Sequence, residues 1–93
     1  MEVKQNDDGK KGTFYIEVDG AHEAEMFYVW AGLHKIIIEH TDVTDKLRGK
    51  GAGMQMVTKA VEFAREKKIK IIPLCPFANS VFQKTPEYGD VLD

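Results

Sequence analysis

Ninety-three residues leave room for one hydrophobic core, and an apolar share of 43% with nine aromatic side chains excludes a disordered tail. The 13 basic and 15 acidic residues nearly cancel at net −2, which gives no field for wrapping a polyanion, so nucleic acid is not expected as a partner. No apolar run approaches the roughly 20 residues that cross a bilayer, so no membrane span is expected either.

From the N-terminus, Met1–Gln5 lacks the apolar run of a secretory signal, and a cytoplasmic location is the expectation. The polar segment Asn6–Gly12 reads as a turn between two strands, Met1–Gln5 and Thr13–Asp19. In the second strand Phe14, Ile16 and Val18 alternate with Thr13, Tyr15, Glu17 and Asp19, the pattern of a sheet with one buried face. Asp19-Gly20 is a turn, Glu25–Ala31 an aromatic-rich strand, Gly32 a break and His34–Val43 a fourth strand, all antiparallel. From Gly53 the period lengthens: Gly53, Val57, Ala60 and Ala64 form one stripe with Met56 and Phe63 beside it, and Gln55, Thr58, Glu62 and Arg65 lie opposite. That amphipathic helix should end near Lys67-Lys68, where positive charge suits the helix dipole. Ile69–Leu74 then reads as a short buried strand, and Phe77–Lys84 as a short helix with Pro76 in its first position. Thr85–Asp93 is expected to be irregular. The whole chain, 1–93, is thus one α/β (α+β) domain: a mainly antiparallel twisted sheet, one long helix packed on it, a further short strand and a short C-terminal helix.

Gly49, Gly51 and Gly53 lie between the fourth strand and the long helix. Without Cβ atoms they admit positive φ and let an anion approach backbone amides, while the helix N-terminus adds a favourable potential. Arg48 and Lys50 place positive charge at the same point. A P-loop is excluded, because Gly49-Lys50 is followed by Gly51 and not by a magnesium-binding hydroxyl, and the dinucleotide fingerprint is excluded by spacing and by the antiparallel context. On the glycines alone, a simple strand-to-helix connection is an equal alternative.

The run Arg48-Gly49-Lys50-Gly51-Ala52-Gly53 resembles the Arg/Gln-x-x-Gly-x-Gly/Ala acyl-CoA motif of the GNAT superfamily of N-acetyltransferases, and it stands in the same place, after an antiparallel meander and opening a helix. His40-Thr41-Asp42-Val43 before the turn, and Pro73-Leu74-Cys75-Pro76-Phe77 and Pro86-Glu87-Tyr88 after the helix, look like the short stand-alone branch of that superfamily, so the likeness covers nearly the whole chain. The resemblance implies a minimal GNAT-like fold and transfer of an acetyl group from acetyl-CoA to an amine, either a small molecule or a protein. It gives Thr41, Asp42 and Val43 contacts to the acyl carbonyl and pantetheine arm, and Arg48, Gly49, Lys50, Gly51, Ala52, Gly53 and Met54 contacts to the pyrophosphate. Pro76 and Asn79 join this coenzyme A set. The helical pair that larger relatives carry after the first strand is replaced here by the turn at Asn6–Gly12, which removes the usual guide to the acceptor.

Acyl transfer requires a deprotonated amine, an oriented thioester and a donor for the developing negative charge. Cys75 stands before a helix started by Pro76, a position that favours a thiolate; it reads as an acyl carrier, as an acid or base, or as a small side chain filling a gap. His40 is a candidate base, because imidazole is the side chain suited to proton transfer near neutral pH, with a strand-end hydrogen-bonding role as the alternative. Tyr88 could protonate the departing thiolate or anchor the tail. Phe27, Tyr28 and Trp30 could line an acceptor groove but are taken as structural, since alternate strand positions more often face a core, and His22 and His34 are taken as solvated. One cysteine and three scattered histidines give no metal-ligand spacing. Two other functions fit the sequence: a non-catalytic acyl-CoA binder or sensor, and a protein-interaction module that uses a sheet edge.

Overall fold

The computed structural model describes residues 1–93. Four strands, β1 (Lys4–Asp7), β2 (Lys11–Val18), β3 (Ala21–Trp30) and β4 (Lys35–Val43), are followed by α1 (Ala52–Lys67), β5 (Lys70–Pro73), α2 (Pro76–Lys84) and a 3-10 turn, η1 (Pro86–Val91). The strands form one sheet in chain order; β1 to β4 are an antiparallel meander and β5 adds to β4 in parallel.

The turns are set by local chemistry. Asp19 (φ 52°) and Gly20 (φ 84°) both take positive φ, the geometry that a two-residue hairpin turn requires, so β3 pairs with β2 from Ala21 rather than from the expected Glu25. At the other hairpin, side-chain oxygens of Asp7 and Asp8 accept the amides of Gly9, Lys10 and Lys11, which tightens the expected Asn6–Gly12 turn and lets β1 run on to Asp7. β1 starts at Lys4, not Met1.

Phe14, Ile16, Ala24, Met26, Tyr28, Ile36, Ile38 and Ile71 turn one sheet face into the core. Against it α1 sets Ala52, Gly53, Met56, Val57, Ala60, Val61 and Ala64, whose spacing makes one stripe and whose small members bring the helix axis close to the sheet. α2 contributes Ala78, Val81 and Phe82 to the same core. Every helix therefore sits on one side. The other face, with Thr13, Tyr15, Phe27, Val29 and Ile37 half-buried, carries no helix. No helix is long and apolar enough to cross a membrane.

The tail is ordered where an irregular segment was expected. Pro86 starts η1, Val91 is buried, Asp93 donates its amide to the Ile71 carbonyl at 3.0 Å, and Arg65 grips Asp90 through two bonds of 2.9 and 2.8 Å. Burial of Val91 and the Arg65 fork supply contacts that the composition of the segment does not announce.

Candidate functional site

The site begins with an irregularity in β4. Phe27 pairs with His40 but Tyr28 with Ile38, so Glu39 is an extra residue, a bulge. Thr44 donates its amide to the Glu23 carbonyl at 2.9 Å. Counting back through the alternation of an antiparallel ladder, Asp42 and His40 also face β3, which turns the amides of Thr41 and Val43 toward the β5 side. No strand meets them there. The β4–β5 ladder stops at the pair Ile38–Pro73, because Pro73 has no N–H to give and the Leu74 amide turns back to the Ile72 carbonyl at 3.2 Å. Cys75 makes the last link, its amide 2.9 Å from the Ile38 carbonyl. Beyond it the strands part, leaving a gap with free amides on one wall.

The chain from β4 to α1 makes two successive tight turns, Leu47 amide to Thr44 carbonyl at 3.1 Å and Lys50 amide to Leu47 carbonyl at 3.2 Å. Leu47, 5% exposed, pins this loop to the core and leaves Arg48 to Gly51 on the surface. Gly49 and Gly51 both have φ of 78°, and a Cβ at either would meet open space. Backbone freedom, not crowding, is what those two glycines supply. The amides of Arg48, Gly49, Gly51, Ala52, Gly53 and Met54 donate to no protein acceptor, and α1 has no side-chain cap. Free amides gathered at a helix N-terminus are a fitting seat for a phosphate group. Lys50 is the exception among the expected residues, since its amide is bonded to Leu47, but its ammonium has no carboxylate partner. Arg48 is held by Asp45 at 2.8 Å on the exposed surface, so its guanidinium is only weakly committed to the turn.

Gly53 matters for a different reason. A Cβ there would lie 2.5 Å from the Phe77 ring, which rests on the glycine while remaining 41% exposed. Leu74, 65% exposed, and Met54 are further apolar side chains at the surface near the start of α1 and α2. The sequence reading missed Phe77 and Glu39. An exposed aromatic in the first turn of a helix is a usable signal for the first; a bulge leaves no compositional trace.

Cys75 caps α2 in an extended conformation (φ −61°, ψ 125°) and is 4% exposed. Its Sγ lies 3.2 Å from Thr41 Oγ1, a bond that bridges β4 and the start of α2. Pro76 takes the first helical position, as expected, and Asn79 Nδ2 reaches back toward the Pro73 carbonyl at 3.4 Å. His40 is on the opposite face of β4 from Thr41: Nε2 is 2.9 Å from Asp42 Oδ2 and the ring lies over Phe27 at 6.2 Å. The structure thus brings Thr41 to Cys75 where the β4–β5 ladder ends, with Pro76 and Asn79 following in α2, and sets His40 and Asp42 on the open face of β4.

Tyr88 is held elsewhere. Its hydroxyl bonds to Thr58 Oγ1 at 2.8 Å, its ring meets Phe82 edge-on, and the Arg65 guanidinium lies 5.9 Å above it. Those contacts tie η1 to α1. His22 is exposed, as expected, and stacks on Tyr15 at 4.1 Å while bonding to Glu25 at 3.0 Å. Tyr28 and Trp30 both donate to Asp7 Oδ2, at 2.5 and 2.9 Å. Desolvation pushes the Asp7 carboxyl up, but those bonds together with the Gly9 amide outweigh it and hold Asp7 below the usual carboxylate range. Burial, and then the hydrogen bond to Asp7, push the Tyr28 phenol far above its ordinary value, so it remains a neutral donor.

Comparison with known proteins agrees with this geometry. The sequence profile described as GCN5-related N-acetyl-transferase matches residues 13–91. The chain is similar to a GCN5-like protein from Staphylococcus aureus solved by NMR, with 36% identity, a TM-score of 0.73, and coverage of 99% of this chain and 87% of that one. Protein NATD1 of Xenopus tropicalis is 25% identical over 85 residues, 90% of this chain and 78% of that protein. The fold also matches AAC(6')-Iy in complex with the bisubstrate analog CoA-S-monomethyl-acetylneamine, at 12% identity and a TM-score of 0.56 over 87% of this chain and 62% of that one.

Proposed function

The chain belongs to the GCN5-related N-acetyltransferase family, and from that membership we propose that it moves the acetyl group of acetyl-CoA onto a primary amine. The observation that carries the proposal is the set of unpaired amides of Arg48, Gly49 and Gly51 to Met54 at the start of α1, together with the Thr41 and Val43 amides that no strand meets. The residues fit such a donor. A pyrophosphate accepts from the turn, the dipole of the 16-residue α1 favours its charge, and the Lys50 ammonium adds attraction. The narrow thioester end suits the gap between β4 and β5, with the Val43 amide aimed at the carbonyl oxygen. The ligand bound to AAC(6')-Iy, a coenzyme A conjugate on the same fold, is in keeping with this.

When bound, acetyl-CoA supplies an activated carbonyl: the amine nitrogen bonds to it, the C–S bond breaks, and an ammonium substrate releases two protons, one of them to the thiolate. The chain has a group for each need. His40, oriented by Asp42, takes the proton that frees the amine. The Thr41 and Val43 amides stabilise charge on the carbonyl oxygen. Cys75, 4% exposed and bonded to Thr41, fits a wall of the gap that donates to the departing sulfur better than a carrier that must reach an incoming amine.

A thermal-shift titration tests the reading. Acetyl-CoA is expected to raise the melting temperature of the wild type and to leave Gly51→Glu unmoved. The substituted side chain has open space but strains the backbone at φ 78° and would hold a carboxylate against the phosphates. An unresponsive wild type refutes the proposal.

A further inference from the structure

A groove of about 670 Å³ crosses the bare face of the sheet, within the range of sites that hold small molecules. The tightened β1–β2 turn makes one end, with Asp8 and Lys11; Thr13 and Phe27 line its middle; Glu39 and His40 close the other end. The bulge is the reason that both of the last two side chains project here, since an extra residue opposite Phe27 sends two consecutive positions to one face. His40 covers part of Phe27, and the next residue along β4, Thr41, has its amide in the gap where the thioester end is placed.

The chemistry of the walls is one-sided. Glu39 is exposed and makes no hydrogen bond or ion pair, so its charge is uncommitted. Asp8 uses one oxygen to hold the Lys10 and Lys11 amides and keeps the other free. Asp42 adds a third carboxylate just past His40. Against them stands Lys11. Phe27 offers a half-buried aromatic face on which an apolar body can lie and toward which a cation is attracted.

We propose that this groove receives the acceptor, and that the acceptor is a primary amine with an apolar body and no carboxylate, its ammonium directed toward Glu39 and His40. The proposal rests on the acetyl-transfer reading above and gives it a substrate class. Approach from the bare face brings the amine to β4 beside the gap, with the base between them, while an anionic acceptor meets three carboxylates.

The experiment is a titration of the ¹⁵N-labelled protein, saturated with coenzyme A, with 2-phenylethylamine. Shifts are expected at the amides of Thr13, Phe27, Glu39 and His40. Glu39→Gln should weaken binding roughly fivefold, and phenylalanine, the same ring with a carboxylate added, should bind more weakly than the amine. Silent groove amides, equal affinity in the variant, or a preference for phenylalanine overturns the proposal. Acetyl-CoA titrated alone and followed at Gly49–Met54 reports on the donor separately: silence there refutes acetyl transfer, whereas response there with a silent groove refutes the groove alone.

Discussion

Two glycines with nearly the same clearance are expected to respond oppositely to substitution. A Cβ on Gly12 would lie 2.4 Å from the Tyr28 ring and 2.6 Å from the Asn6 carbonyl oxygen. Neither can yield, because Tyr28 is 1% exposed and its hydroxyl is held by Asp7 and by Gln5 at 2.7 Å. Gly12→Ala should therefore cost about 2 kcal/mol. At Gly53 the obstacle, 2.5 Å away, is Phe77, whose exposed ring can rotate outward. Helix propensity then favours alanine by roughly 0.5–1 kcal/mol, so Gly53→Ala should be near neutral or stabilising. Urea unfolding midpoints of the two variants check both signs.

At the scale of elements, α1 ends on Lys68, a non-glycine residue in the left-handed conformation (φ 58°, ψ 46°), with the Ile69 amide bonded to the Ala64 carbonyl at 3.0 Å. Relief of that strain in Lys68→Gly is partly offset by the greater freedom of the unfolded chain, and the net expectation is a gain of roughly 0.5 kcal/mol, read as a higher urea midpoint. The end of this helix was legible from the positive charge of Lys67-Lys68, and the strand-to-helix turn from its three glycines, which alone left a plain connection equally open until the Arg48–Gly53 run was matched to a family motif. The strand-level details were not. Asp7 meets Tyr28 and Trp30 only through the register of three strands, and an inserted residue such as Glu39 has the composition of any polar strand position. The order of the tail was hidden for a similar reason: Arg65 finds Asp90 across 25 residues, a distance that periodicity does not reach.

Across the whole molecule, Asp7, Asp8, Glu17 and Asp90 all ionise below their ordinary values. Desolvation opposes the shift at Asp7, but hydrogen bonds from Tyr28, Gly9 and Trp30 prevail. The Lys11 and Lys10 amides lower Asp8, the Lys4 hydrogen bond lowers Glu17, and the Arg65 hydrogen bond lowers Asp90. In each case the folded chain releases its proton more readily than the unfolded one, so the contribution is present above the unfolded carboxyl range and is lost as pH falls through the folded values. Melting temperature should hold near neutrality and decline below about pH 4. Asp7→Asn should lower it at pH 7 and flatten the decline, and an unchanged acid limb in that variant would remove Asp7 from the account. The single added step in β4 has a consequence for the entire fold. It acts as a half-turn of phase: downstream of Glu39, each side chain exchanges the layer it would otherwise occupy. Were the same residues laid out as an unbroken ladder, the imidazole would point inward and Thr41 to solvent, whereas deleting Glu39 would leave His40 opposite Phe27 and Thr41 opposite Met26. The bulge, more than side-chain identity, thus keeps His40 on the bare face over Phe27 and Thr41 on the side of Cys75.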